Sequence, residues 1–458
     1  MNKLEKAKSI LKTLTDAGFK AWLIGGCVRD YLMQREPNDY DIATNALPEQ
    51  VDSIFFETDS SNKHYGAIKV TIEEEQFEVT TLRKESGYSD YRHPTNVEFT
   101  DKLEEDLVRR DLTINAFAMD GDNNITYIAG GKEDFDNKIL RIIGDPDVRF
   151  REDPLRMLRV IRFASKFQDF KIEQETYEAI KRNASLIKNI SNKRIKDELD
   201  QILFNDPVYI DELHKTGLLK EIIPEVDILS TVTQNNRWHY ADVFYHTLDA
   251  LKHTKKYTNL SQHSLLLIRY ALMFHDTGKI DTKTVDAEGF EHFFTHPIYS
   301  YRITGPILER LGFTTSEIDT ITKLVLYHDE HLFPTRKMLL KICNSWNMSL
   351  YEYKLLGYIR EADISAHVKK ENDDRMERYF KLLTMYKQKA KYDKLFSASD
   401  LKINGEDIMK AYNIPSGQLV GTIKRDLYEM CFLKPSLNTR EYLFAYLEEN
   451  REKYLDKK

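Results

Sequence analysis

The chain has 458 residues, 41% of them hydrophobic, with a net charge of −7. That length predicts several domains, and no apolar run approaches the roughly 18 residues of a membrane span. The acidic balance excludes a protein that coats nucleic acid indiscriminately, so any polynucleotide contact is a focused patch; the three cysteines, Cys27, Cys343 and Cys431, lack metal or disulfide-framework spacing, which fits a reducing cytoplasm.

The N-terminal stretch has no signal-peptide core. Leu4, Ala7, Ile10, Leu11 and Leu14 instead predict an amphipathic helix over 4–16. "KAWLI" (20–24) reads as a strand ending in Gly25-Gly26, and a second helix over 48–56 opens with Pro48. "GAIKVTI" (66–72) and "QFEVTTL" (76–82) read as strands joined by an acidic turn. From about residue 150 strand signals nearly vanish, and "REDPLRMLRVIRFASKF" predicts a helix with Asp153 as N-cap and Pro154 behind it. The fold class is α+β: a small mixed head over 1–145, a helical neck over 146–224, a further helical domain over 225–395 and a helical tail over 396–458.

Three fragments of the head carry chemistry. In "NDYDIAT", a strand would put Asp39 and Asp41 on one face, with Cα atoms roughly 6.6 Å apart. Two such carboxylates suit hard divalent cations and two-metal phosphoryl chemistry; alone they read more simply as an exposed acidic edge. "IGGCVRD" places Gly25, Gly26 and Arg29 between a strand and a helix, where backbone N–H groups approach a phosphate, or where the chain merely turns. "RRDLTINAFAMD" supplies Arg109, Arg110, Asp111 and Asn115, a triphosphate clamp or a surface salt-bridge cluster.

Taken in order, these fragments closely resemble the head of class II tRNA nucleotidyltransferases, the family of CCA-adding enzymes and bacterial poly(A) polymerases. The likeness continues through "KLEEDL" (102–107), "EDPLRMLRVIRFA" (152–164) and "ISNKRIKDEL" (190–199), and covers roughly residues 18 to 222. It implies magnesium (Mg2+) at Asp39 and Asp41, the catalytic pair, with Glu78 and Asp111 as weaker acidic candidates. One departure is Tyr127 in "TYIAGG", where the family often has an acidic residue. Cytosine and adenine both show an amino donor beside a ring-nitrogen acceptor, so an acceptor-only Asp beside a donor-only Arg fits both and rejects guanine and uracil. Asp153 and Arg156, three apart at a helix start, match the family's motif for that readout; by themselves they read as a cap with a local ion pair. Arg159 and Arg162 continue their ridge.

The middle of the chain holds a second pattern: His246, His275-Asp276 in "HDTGK", His296, His328 and Asp363 in "READISAH". A single histidine beside an apolar helix is usually a core or surface residue. The full set resembles the HD superfamily of metal-dependent phosphohydrolases, which implies a divalent transition metal and water attack on a phosphate ester; the rival reading is a helical support for tRNA. The tail, "NGEDIMKAYNIPSGQLVGTIKRDL", resembles the family's tail, with Gly405, Pro415, Gly417 and Gly421 marking tight turns. Lys424 and Arg425 fit phosphate contacts or a solvated face equally.

The implied function is template-independent addition of CCA to the tRNA 3′ end from CTP and ATP, with an accessory phosphohydrolase activity. Neither membrane nor DNA is expected as a partner. The alternatives are an A-adding enzyme working with a separate CC-adding one, a poly(A) polymerase, an HD phosphohydrolase whose head only binds nucleotide, and a non-catalytic RNA-binding protein. The polar segment 83–99, with Gly87, Pro94, Arg83 and Arg92, reads as a mobile loop that switches the pocket from C to A.

Overall fold

The computed structural model describes residues 2–88, 90–91, 94–235, 241–368, 373–392 and 398–455. The first helix, Lys3–Asp16, buries Ala7, Ile10, Leu11 and Leu14, and Asn2 caps it through a reciprocal bond with Glu5. Strands follow as β1 (Ala21–Ile24), β2 (Asp41–Thr44), β3 (Thr58–Asp59), β4 (Ala67–Ile72), β5 (Glu75–Thr81), β6 (Arg83–Tyr88), β7 (Pro94–Phe99), β8 (Phe117–Met119) and β9 (Ile125–Tyr127). Seven of them form one sheet in the order β3-β4-β5-β2-β1-β8-β9. Only β2 and β5 run parallel within it, with Ile42 opposite Val79.

The acidic turn between β4 and β5 is Glu73-Glu74, both at positive φ (49° and 69°), the conformation that matches the strand twist of a two-residue hairpin. The 48–56 helix is shorter than expected, Pro48–Ile54. Segment 83–99 differs more. Its described residues form an antiparallel hairpin, β6 against β7, in a sheet of its own. Arg92 lies outside the described residues.

The neck holds two helices, Pro146–Glu152 and Leu155–Lys166. The break falls at Asp153 because the ring of Pro154 forces the preceding residue out of the helical region, here to φ −144°, ψ 96°. Asp153 therefore ends one helix as its side chain accepts from Leu155 N at 3.2 Å, and the second helix starts one residue later than the sequence signals suggest.

Residues group into two compact units, Met1–Ile228 with Arg310–Gly312, and Leu229–Glu309 with Phe313–Lys458. Among its described residues the second has helices and one short strand pair, Thr284–Val285 with Glu291–His292. In it, the helix Leu350–Ser365 buries Tyr353, Leu356 and Ile359 and packs on the helix Arg375–Tyr392. In the tail, Gly405 opens a helix and Gly417 caps one, but Gly421 stands inside the helix Gln418–Leu433 rather than in a turn. Arg425 on that helix is exposed and Lys424 half-buried.

Glycine at 357 is a packing requirement: a Cβ there would meet the buried Tyr379 ring at 2.1 Å, whereas one at Gly421 meets nothing within 4 Å. Gly357→Ala is expected to destabilise the protein by about 1–3 kcal/mol, and Gly421→Ala to stabilise it by up to about 1 kcal/mol. Urea unfolding followed by circular dichroism checks both; equal midpoints for the two variants contradict the packing argument.

Candidate active sites

A cavity of about 750 Å³ opens between the head sheet and the neck. Gly25 and Gly26 enter it from the end of β1, Asp41 from the start of β2, and Glu78 from β5. Gly25 sits at φ +76°, and a Cβ there would lie 3.0 Å from Arg110 Nη1, so the glycine is needed for both its conformation and its close approach.

The arginine pair is held from beneath. Asp106, 1% exposed, takes Arg109 at 2.8 Å and Arg110 at 3.4 Å. Glu85 on β6 takes Arg109 at 3.1 Å and Arg83 at 2.8 Å. Asp106 stands three and four residues before its partners on the 103–108 helix, a spacing visible in the sequence but not used in reading it.

Asp111 is buried, with both oxygens engaged: Arg159 Nη2 lies 2.6 Å from Oδ2, while Leu112 N (2.7 Å) and Asn115 Nδ2 (3.1 Å) donate to Oδ1. Burial alone would raise its carboxyl, but Arg159 and these donors hold it down at about 2. It thereby ties the head to the neck at the edge of the cavity. Arg29 is likewise structural as well as charged. It donates to Asn115 Oδ1, pairs with Asp30 at 2.7 Å, and lies over the Phe163 and Phe167 rings at 5.3 and 4.9 Å.

Asp153 and Arg156 both line the cavity but do not pair with each other. Arg156 bonds Glu152 at 2.9 Å, and Asp153 bonds Arg194 at 3.2 Å. Each is thus oriented by a separate partner; Arg194, 41 residues from Asp153, had no local signal pointing to it.

The two metal candidates of the head are placed differently. Asp41 begins β2 and faces the cavity. Asp39 precedes the strand, its side chain 89% exposed with Oδ1 3.5 Å from Lys3 Nζ, and it does not line the cavity. The two do not share a strand face because β2 starts only at Asp41; Tyr40 and Ile42 are both buried as expected, but so is Ala43, so the strand does not alternate. Burial, then the charges of Glu78 and Asp39, push the Asp41 carboxyl up against the opposing pull of Arg110. A local excess of negative charge of this kind fits a hard cation.

The second unit assembles all six residues of the histidine–aspartate pattern. His296 Nε2 lies 3.2 Å and His328 Nε2 3.9 Å from Asp276 Oδ1. His246 Nε2 lies 3.0 Å and His275 Nε2 3.5 Å from Asp363 Oδ1. Among the described residues three triads bring their ligand atoms within 4.8 Å: His246-Asp363-His367, His246-His275-Asp276 and Asp276-His296-His328. His367, which stacks on His246 at 5.1 Å, is the member that sequence reading overlooked, although it stands only four residues after Asp363, just past the end of that helix.

The tautomers are set by the backbone. Nδ1–H donates to the carbonyl three residues earlier in His275 (Leu272 O, 2.6 Å), His296 (Phe293 O, 2.9 Å) and His328 (Val325 O, 2.7 Å). A carbonyl can only accept, so every Nε2 is left as a lone-pair donor facing the two carboxylates. Burial and the neighbouring His275 and His296 push His328 down to about 4, which keeps it neutral. Burial would raise Asp276, but His275 and Lys279, whose Nζ is 2.7 Å away, hold it well below the usual range. Imidazole Nε2 atoms and ionised carboxylates facing one another are the donor set of a mixed N/O site, and these residues fit a divalent transition metal.

The glycine of "HDTGK" matters here. A Cβ on Gly278 would meet His296 O at 2.4 Å and Ser300 N at 2.5 Å, and Gly278 N donates to Ser300 Oγ at 2.8 Å. Gly278→Ala is expected to displace the helix that carries His296 and to weaken metal binding by about 10–100-fold. Metal titration with elemental analysis measures it, and wild-type affinity in the variant contradicts the placement.

Comparison with known proteins follows this division. Residues 21–141 match the family model of the poly A polymerase head domain, 169–229 that of the probable RNA and SrmB-binding site of polymerase A, and 243–373 the HD domain. The CCA-adding enzyme of Lactobacillus helveticus (strain DPC 4571) is 48% identical over 193 residues, 42% of this chain and 48% of that protein. The CCA-adding enzyme of Bacillus subtilis (strain 168) is 47% identical over 198 residues, 43% of this chain and 50% of that protein. The matches thus span about half the length of these curated relatives. The crystal structure of the Bacillus stearothermophilus CCA-adding enzyme in complex with CTP superimposes with a TM-score of 0.69 at 25% identity, covering 99% of this chain and 98% of that one. The Thermotoga maritima CCA-adding enzyme complexed with tRNA_CCA shares the fold, with a TM-score of 0.55 at 16% identity over 98% of this chain and 95% of that one. The chain therefore carries a poly A polymerase head, its RNA-binding segment and an HD domain, two domain types that depend on divalent metal.

Proposed function

We propose that this chain is a tRNA nucleotidyltransferase that adds CCA to the tRNA 3′ end from CTP and ATP without a template. One observation carries the reading: a single cavity gathers the Asp41 carboxylate, the Arg109–Arg110 pair and the separately held Asp153 and Arg156. The comparisons support it through the relatives' names and the CTP-bound neighbour. A division into head (1–145), neck (146–224), HD domain (225–395) and tail (396–458) agrees with the matched segments. Among the described residues no helix is long and apolar enough to cross a membrane, and a tRNA substrate assigns the enzyme to the cytoplasm.

Asp41 and Asp39, with Glu78 adjoining, are the residues that would hold magnesium, which supplies activation of the RNA 3′-hydroxyl and neutralisation of the triphosphate. For Asp39 this requires its carboxylate to turn from Lys3 toward the cavity. Arg109 and Arg110, anchored on Asp106, donate to the triphosphate, while Gly25 and Gly26 let it approach the backbone. Asp153 accepts from the exocyclic amino group of C or A and Arg156 donates to the adjoining ring nitrogen. The new bond joins O3′ to the α-phosphorus as the bond to the β-phosphate oxygen breaks and pyrophosphate leaves. In the HD domain, His246, His275, Asp276, His296, His328 and Asp363 would hold a divalent transition metal, giving an accessory phosphohydrolase that hydrolyses phosphate esters.

Purified protein incubated with tRNAs ending before, within and after CCA, each nucleotide supplied separately and the products sequenced, tests the reading. Addition of C, C and then A is expected; A on tRNA ending in CC without any addition of C establishes the A-adding alternative instead. Asp41→Asn is expected to lower addition at least about 1,000-fold, the scale of a lost electrostatic partner of the reacting group, with circular dichroism unchanged. Arg156→Ala is expected to lower kcat/KM for both CTP and ATP by about 10–100-fold, the scale of one lost base-reading contact. Unchanged kinetics for both nucleotides places base choice elsewhere.

A further inference from the structure

The HD cavity, about 640 Å³, has a rim that the metal cluster does not use. The strand pair Thr284–Val285 and Glu291–His292 leads into Phe293-Phe294-Thr295-His296 along this rim. Phe293 faces inward: Lys279 Nζ lies 5.4 Å from its ring centroid, and its carbonyl accepts His296 Nδ1–H. Phe294 does the reverse. It lines the cavity yet is 72% exposed.

A single exposed apolar side chain needs no explanation, but three observations set this one apart. Its ring is already stacked on His292, centroids 5.3 Å apart at 7°, and His292 Nε2 is fixed 2.7 Å from Asp286 Oδ2. Thr295, a β-branched residue, sits at φ +65°, a conformation that persists only where its surroundings enforce it. That residue turns His296 in and leaves Phe294 out. The two are separated by one residue, so their Cα atoms are at most about 7.6 Å apart, which is within the span of one nucleotide.

We infer that Phe294, propped by His292, is a stacking platform for a nucleobase, so that the HD centre takes nucleoside phosphates rather than phosphate esters at large. The inference rests on the phosphohydrolase reading of that centre. With His292 on one face of Phe294, the other face receives the base, and the phosphate group reaches the metal ligands. Of the acids on this strand pair and its turn, Asp286 is bonded to His292 and Glu291 is paired with Lys283 at 2.6 Å, which limits repulsion of an anion. In the hydrolysis a water oxygen bonds to phosphorus, the P–O bond to ribose breaks, and the ribose oxygen takes a proton from that water. The ligand is a mononucleotide or the 3′-phosphorylated end of an RNA; both present a base beside a phosphate ester.

The test uses the full chain supplied with Mn2+ and compares AMP with ribose 5-phosphate, which carries the same ester without a base. Phe294→Ala is expected to lower the ratio of kcat/KM for AMP over ribose 5-phosphate about tenfold, the scale of one lost base–aromatic stack, and Phe294→Tyr to restore it. A 3′-phosphorylated oligoribonucleotide assayed beside AMP separates the two sources. A Phe294-dependent preference in either supports the platform, and in neither overturns it. Binding is read independently from the fluorescence quenching of 2-aminopurine riboside 5′-monophosphate by metal-free protein, with any contribution from the head common to both proteins. Less quenching in Phe294→Ala is expected; an unchanged ratio with unchanged quenching, or an equal loss for both esters, overturns the platform. If wild type hydrolyses none of the esters, the phosphohydrolase reading fails, while the quenching difference still decides the platform.

Discussion

Asp111 carries a full charge in a place from which water is almost excluded, and the cavity between head and neck is built around satisfying it. An uncompensated buried carboxylate is costly, so its neighbours are not free to move. Arg159 reaches it from the 155–166 helix at 2.6 Å, and Asn115 and Leu112 reach it from the head. Arg149 adds a second tie across the same seam, donating to Arg110 O at 2.8 Å. The consequence is that Arg109 and Arg110 on the head and Asp153 and Arg156 on the neck keep a fixed spacing. Five arginines, Arg109, Arg110, Arg149, Arg156 and Arg159, converge there, and without the intervening Asp106, Asp111, Glu85 and Glu152 they would repel one another.

The two candidate metal sites solve the same problem with different donors. The head uses carboxylates only, with Glu78 and Asp39 pressing on Asp41, and this suits an ion that takes oxygen ligands. The HD site mixes two ionised carboxylates with imidazoles whose tautomer the helix backbone dictates. Each of those histidines ends or opens a helical turn, so the carbonyl three residues back is in reach without any extra side chain. The orienting partner of each of these ligands is thus the backbone itself.

What was legible in the sequence was what neighbours in sequence decide. Tyr40 and Ile42 are buried as their apolar character predicts, spacing gives the helix Lys3–Asp16, and ordered motifs marked both sites. What was not legible depended on distant partners. Asp39 turns to Lys3, 36 positions away, rather than toward Asp41, because the strand begins later than the D-x-D spacing suggests. Asp153 and Arg156 look like a local ion pair, yet their side chains pair with Arg194 and Glu152 instead. Segment 83–99 reads as a polar loop since its apolar alternation is weak; it folds as a strand pair because Glu85, Arg83, Arg109 and Tyr88 neutralise one another beneath it.

That hairpin has one more consequence. Among the described residues β6 and β7 pair only with each other, and Thr100 N donating to Leu82 O at 2.9 Å closes the base where they leave the main sheet. Above that bond the segment behaves as a cassette: residues can be gained or lost at its tip without changing the register of any strand in the seven-stranded sheet. The strand pair nevertheless reaches the cavity between head and neck, which Glu85 and Tyr88 line, so a change confined to this cassette alters the cavity wall directly.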